Sequence, residues 1–79
     1  GQKMNSDRKI LQFSAATGFL VVLEFGNIEE MKEYEDKITH AGLKCKTLEN
    51  FSFNFDQADL FMDMRSPDCR AQFDLEDWI

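Results

Sequence analysis

The stretch from residue 18 to residue 55 constrains the fold of this chain most, because each of its junctions carries a separate chemical signal. It opens with residues 19–25, Phe-Leu-Val-Val-Leu-Glu-Phe. A nearly continuous apolar run of this length, rich in β-branched and aromatic residues, is typical of a strand buried on both faces. A turn at residues 15–18 separates it from an earlier strand predicted at residues 9–14.

A capped amphipathic helix is predicted next, over residues 28–41. Asn27 can cap its first turn, and Glu30 three residues later completes a pattern similar to a capping box. Gly42 is suited to end the helix in the C′ position. Apolar residues recur at three- and four-residue spacing and form one stripe, which consists of Ile28, Met31, Tyr34, Ile38 and Ala41.

Three further strands are predicted after the helix. Residues 43–47 alternate in polarity and residues 51–55, Phe-Ser-Phe-Asn-Phe, alternate strictly, with a turn or bulge at residues 48–50 between them. Residues 60–65 also alternate, although helical periodicity over residues 58–65 is the alternative interpretation. Ser-Pro-Asp then forms a turn or begins a helix, since proline is at ease in the first helical position.

This order of elements, ββαβββ, predicts an α+β fold. We expect a small, mostly antiparallel β-sheet of four to five strands with one amphipathic helix on one face. Residues 8–79 are predicted to be a single domain, and residues 1–7 a disordered or tag-derived N-terminus. Because one helix covers one face only, the other face is expected to meet the C-terminal segment or a second copy of the chain, which makes a homodimer possible.

Charge and composition narrow the classes of function. The net charge of −6, from 15 acidic and 9 basic residues, argues against binding to a nucleic-acid backbone or an anionic membrane. No run of 18 apolar residues is present, and no secretory leader is expected. Cys45 and Cys69 lack a C-x-x-C spacing, so free thiols in a reducing, cytoplasmic setting are expected, with a disulfide left open.

Catalytic candidates are few, and each lacks a second group. His40 would need an orienting partner to act as a base, and its position at the end of the predicted helix favours a simple charge interaction there. Arg70 could depress the pKa of Cys69, but no further catalytic group can be named. The carboxylates of the last third do not follow a calcium-loop spacing and are expected to form a solvated acidic face. The chain is therefore predicted to be no enzyme, with no metal site and no cofactor.

Three short motifs outline one known type of module: Ala-Gly at residues 41–42, Ser-Pro-Asp at residues 66–68 and Phe-Asp-Leu at residues 73–75. Their order resembles one βαβββ module of the vicinal-oxygen-chelate superfamily, in which the last triplet supplies a ligand. Cys69 and Arg70 replace the Gly-Asn of that pattern, the offset to Asp74 is one residue too long, and no early His or Glu ligand is evident. The resemblance implies the fold and, as an alternative function, a dimeric ligand- or metal-binding module.

Two segments resemble docking peptides for DNA sliding clamps. Gln-Ala-Asp-Leu-Phe at residues 57–61 is similar to the bacterial form, and residues 72–79 are similar to the longer form. In such peptides a glutamine bonds the pocket rim while a leucine and an aromatic residue fill an apolar pocket. The alternative is that Leu60, Phe61 and Trp78 are apolar anchors that complete the core of this domain.

The sequence thus favours a small acidic protein that acts by contact with another protein. An inhibitor or regulator that occupies a basic nucleic-acid-binding or clamp-type surface fits its size and charge, as virus-encoded antagonists of host nucleases do. Internal packing of Trp78 is favoured over docking on a partner, but both remain open. The predicted partner-binding residues are Asp74, Glu76, Asp77, Trp78, Gln57 and Phe61.

Overall fold

The computed structural model describes residues 8–48 and 57–79, which form a small α+β domain as predicted. The predicted N-terminal segment at residues 1–7 and the predicted strand at residues 51–55 lie outside these residues. The turn or bulge predicted at residues 48–50 is corrected at its first position, because Leu48 is the last residue of a strand. The elements are β1 (Lys9–Ser14), β2 (Leu20–Phe25), α1 (Ile28–His40), β3 (Cys45–Leu48), β4 (Leu60–Asp63), α2 (Pro67–Gln72) and a 3₁₀ helix (Leu75–Asp77).

The described strands form one mixed sheet in the order β3-β1-β2-β4. Strand β1 pairs antiparallel with both β2 and β3, whereas β2 and β4 run parallel, with Val21 opposite Leu60. The expectation of a mostly antiparallel sheet is corrected at this edge. The Asp59 N–H donates to the Leu20 carbonyl at 2.8 Å, so β4 begins at the same end of the sheet as β2. The parallel pairing of β2 with β4 could not be predicted from the sequence, because alternation of polarity carries no information about strand direction.

Helix α1 covers the face of the sheet that carries Val21, Leu23 and Phe25. Asn27 caps the helix as predicted, because its Oδ1 accepts the Glu30 N–H at 2.7 Å. The buried part of the predicted apolar stripe is narrower than expected, because the side chain of Ile28 is 43% exposed. The helix ends one residue earlier than predicted. The buried core contains Leu11, Phe13, Ala15, Val21, Leu23, Phe25, Met31, Ile38, Met64, Phe73 and Leu75.

The C-terminal segment, residues 73–79, is called the tail from here on and packs on the same face of the sheet as α1. Pro67 occupies the first turn of α2, which agrees with the predicted helix start. The helical interpretation of residues 58–65 is wrong, because the strand β4 lies there. Phe73 and Leu75 enter the buried core, and Trp78 and Ile79 pack against it half-buried. The apolar anchors of the tail therefore complete the core of the domain.

The face of the sheet opposite α1 is buried at its centre. Ile10 is 3% and Val22 is 0% exposed, and Glu24 beside them is also buried. The sequence predicted that this face would meet the C-terminal segment or a second copy of the chain. The C-terminal segment lies instead on the face that α1 covers, because Phe73 and Leu75 pack there with Leu23. Phe61 lies on this face opposite Val22 and is 39% exposed. The homodimer remains a prediction, and the apolar surface exposed on this face is smaller than the sequence led us to expect.

Candidate protein-binding surface

The C-terminal segment follows the length of β2 on the helix side. At one end, the Phe73 ring lies 6.4 Å from the Tyr34 ring, which in turn lies 5.0 Å from the ring of Phe25. At the other end, the Trp78 ring lies 5.9 Å from that of Phe19. Because Phe25 ends β2 and Phe19 immediately precedes it, the segment spans the strand from one end to the other.

The negative charges of one tail carboxylate and of two carboxylates of α1 all act on Tyr34. The pKa of Tyr34 is raised, first by burial of its ring and then by the negative charge of Glu30, with Glu33 and Asp74 adding to the same effect. Carboxylates from two separate elements thus act on one hydroxyl group. We call the set that continues along the tail the acidic band, and it consists of Glu30, Glu33, Asp74, Glu76 and Asp77.

Two cations lie within this set and neutralise part of it. Arg70 Nη1 donates to Glu30 Oε1 at 2.7 Å and to the Met64 carbonyl at 3.2 Å, and the pairing with Glu30 raises the pKa of Arg70. Lys37 Nζ lies 5.9 Å from the centre of the Tyr34 ring. Arg70 thus pairs with Glu30, and the five carboxylates of the band together with these two cations keep a net negative charge.

Asp74 also organises the end of the tail. Its Oδ1 accepts the Glu76 N–H at 3.0 Å and caps the short 3₁₀ helix. Glu76 and Asp77 follow in that helix with exposed side chains. The tail thus holds its carboxylates in a fixed backbone while it buries Leu75 beneath them.

The six residues predicted to bind a partner do not share one surface. Asp74, Glu76, Asp77 and Trp78 lie together on the tail. Gln57 precedes β4, and Phe61 lies within β4 on the sheet face opposite α1. The segment that resembles a bacterial clamp peptide is built into the sheet, with Leu60 packed against the core.

A charge network around the buried Glu24, on the opposite face of the sheet, was not predicted from the sequence. Arg8 Nε and Nη2 each donate to the Glu24 carboxylate at 2.9 Å. Arg65 lies 3.7 Å from Glu24 and forms two side-chain hydrogen bonds to Asp63, of 2.8 and 2.9 Å. The bonds from Arg65 lower the pKa of Asp63, and the bond to Glu24 raises the pKa of Arg8. The signal in the sequence was a lone Glu inside an apolar run, which needs a cation when it is buried.

A cleft of about 290 Å³ opens beside this network. It is lined by Arg8, Lys9, Glu24, Phe25, Gly26 and Arg65. The Arg65 side chain leaves little room for a side chain at position 26, because a Cβ added to Gly26 would lie 3.3 Å from Arg65 Cγ. The arginines are held by carboxylates, so the network ties β1, β2 and β4 together at this end of the sheet.

The catalytic candidates have structural contacts. His40 Nδ1–H donates to the Asp36 carbonyl at 2.8 Å, one turn back in α1. Cys45 Sγ lies 3.6 Å from Thr39 Oγ1, and its thiol packs against the core. Cys45 and Cys69 are both free thiols.

Within residues 8–48 and 57–79, His, Cys, Asp and Glu nowhere gather in a group of three that could hold a metal ion. In the same part of the chain, each helix is too short or too polar to cross a membrane.

Comparison of the chain with protein-family models, with curated proteins and with solved structures finds no significant match.

Proposed function

We propose that this domain is a non-enzymatic protein-binding module that presents the acidic band to a basic surface of another protein. The observation that carries the proposal is the exposed row of Asp74, Glu76 and Asp77 on the fixed tail, whose first member acts together with Glu30 and Glu33 of α1 on Tyr34. Carboxylates gathered from two elements produce a stronger local field than the same charges spread over a surface. Such a field steers a basic partner toward the band and raises the rate of association.

The target surface best suited to this band is one that normally binds nucleic acid. Such surfaces carry clustered Lys and Arg, and a rigid row of carboxylates can take the place of phosphates. The domain would then act as an inhibitor or regulator of its target. A clamp-type pocket is a poorer fit for residues 57–61, because Leu60 and Phe61 are already paired in the sheet.

The position of Asp74 also favours protein binding over the alternative of a dimeric metal or ligand module. In such a module this carboxylate would point inward among other ligands. Asp74 is instead exposed, and it caps the N–H of Glu76. Glu33 of α1, which acts on the same tyrosine as Asp74, is exposed as well.

Affinity capture from the source cell tests the proposal. The wild-type chain is compared with Glu76→Gln/Asp77→Asn and with the control Glu35→Gln/Asp36→Asn, which neutralises the other Glu-Asp pair, on α1. A protein retained by the wild type and the control, lost by the band variant and eluted by salt supports the proposal. Equal capture by all three chains would contradict it.

A further inference from the structure

Trp78, near the end of the tail, forms a partly solvent-exposed aromatic pair with Phe19. Phe19 is 47% exposed, and its ring lies 5.9 Å from the half-buried ring of Trp78, with an angle of 38° between the two planes. The Trp78 carbonyl accepts the Ala16 N–H at 3.4 Å, which joins the tail to the turn between β1 and β2. These contacts hold the pair of rings in a fixed position on the domain.

Each member of this pair has a carboxylate held near its own backbone. Asp59 Oδ2 accepts the Leu20 N–H at 2.8 Å, which holds one carboxylate next to the residue that follows Phe19. Asp77 immediately precedes Trp78 and is exposed. The adjoining turn at residues 15–18, Ala-Ala-Thr-Gly, carries no charge that could neutralise them.

From this arrangement we infer that the pair formed by Phe19 and Trp78 is the anchor site for an arginine side chain of the partner. A guanidinium is attracted to the face of an aromatic ring and donates hydrogen bonds to carboxylates at its edge. Asp59 and Asp77 supply those acceptors. The inference deepens the proposed function and rests on it, since it assigns the chemistry of one contact within the same basic partner surface.

The single tryptophan of the chain makes the site directly measurable. An acetylated, amidated peptide of four Gly-Arg repeats is titrated into the full chain at low salt, with Trp fluorescence and calorimetry recorded in parallel. The expected result is a saturable change in Trp78 emission whose midpoint matches the calorimetric binding curve. The same peptide with lysine in place of arginine should bind more weakly, because lysine lacks the planar donor fork.

Matched variants locate the contact. Phe19→Leu keeps an apolar side chain but removes the ring, and Asp59→Asn keeps an acceptor for Leu20 but removes the charge. Each should weaken peptide binding about three- to fivefold, which corresponds to the loss of one exposed cation–π or charge contact. The control Glu35→Gln should bind as the wild type does.

The outcomes separate this inference from the proposed function. Peptide binding that weakens in Glu30→Gln/Glu33→Gln, but leaves Trp78 emission and the affinity of Phe19→Leu unchanged, would overturn the aromatic anchor and leave the acidic band in place. Absence of calorimetric binding at low salt would overturn the anchor and count against the proposed function as well.

Discussion

Arg8 donates two hydrogen bonds of 2.9 Å to the carboxylate of Glu24, whose side chain is 2% exposed. This pairing explains how a charged residue can lie in the otherwise apolar strand β2. A buried carboxylate without a partner is costly, and removing one member of a buried pair leaves that cost in full. The pair also joins the start of β1 to the end of β2.

Replacing Arg8 by Gln should therefore lower the free energy of unfolding. We expect a loss of about 1–3 kcal/mol, as for a buried acceptor that loses its donor, because Arg8 itself is half-exposed and Arg65 remains nearby. Urea titration measures the change. Lys46→Gln, at an exposed position of β3, is the control and should stay within about 0.5 kcal/mol of the wild type. Equal stability of the two variants would show that Glu24 does not depend on Arg8.

Asp63 should make stability depend on pH on the acid side. Hydrogen bonds from Arg65 hold its pKa below the usual 3.8 in the folded chain, so the unfolded chain takes up this proton first. The contribution of Asp63 is present above pH 3.8 and is lost as the pH falls through the lower, folded pKa. Asp63→Asn should flatten the decline in unfolding free energy below about pH 4. An unchanged slope in Asp63→Asn would contradict the pairing with Arg65.

The cap of α1 gives a sharper local test. Asn27→Ala removes the acceptor of the 2.7 Å bond from the Glu30 N–H and should cost about 1 kcal/mol in denaturant titration. Asn27→Ser, which keeps a capping oxygen, should retain most of that stability. If both variants are equally destabilised, the side-chain bond is not the cause.

Trp78 should contribute to stability as well as to binding. Trp78→Ala is expected to cost about 2–3 kcal/mol, less than the roughly 3–5 kcal/mol of a fully buried aromatic residue, because Trp78 is half-buried. Thermal unfolding followed by far-UV circular dichroism measures the effect. Trp78→Phe should recover part of the loss by keeping a ring against Phe19. An unmoved melting temperature in Trp78→Ala would mean that the tail is not docked in the free protein.

The sequence predicted the elements that depend on local signals. The Asn27 cap, the apolar run of β2 and Pro67 at the start of α2 are each determined by neighbouring residues, and the structure has them. The parallel pairing of β4 with β2 and the partnership of Arg8 with Glu24 link residues at least 16 positions apart. Periodicity of hydrophobic residues does not encode such pairings, so they could not be predicted.

The candidate surface was predicted in part for the same reason. The carboxylates of the tail are visible in the sequence, but the position of Asp74, which acts on Tyr34 together with Glu30 and Glu33, depends on where Phe73 packs against Tyr34. The contact between Phe19 and Trp78 likewise joins opposite parts of the chain. Phe61 looked equivalent to Trp78 as an anchor, but the pleat of β4 directs it to the other face of the sheet.

The most direct test of the account is the association rate of the domain with the partner recovered by affinity capture, measured at a series of salt concentrations. If the acidic band steers binding, the rate should fall steeply as salt rises, because exposed charges are screened over about 8 Å at physiological ionic strength. At low salt Glu76→Gln/Asp77→Asn should associate several-fold more slowly than Glu35→Gln/Asp36→Asn, which should match the wild type. A rate that is independent of salt and equal in all three chains would contradict the proposal that this surface binds a basic partner.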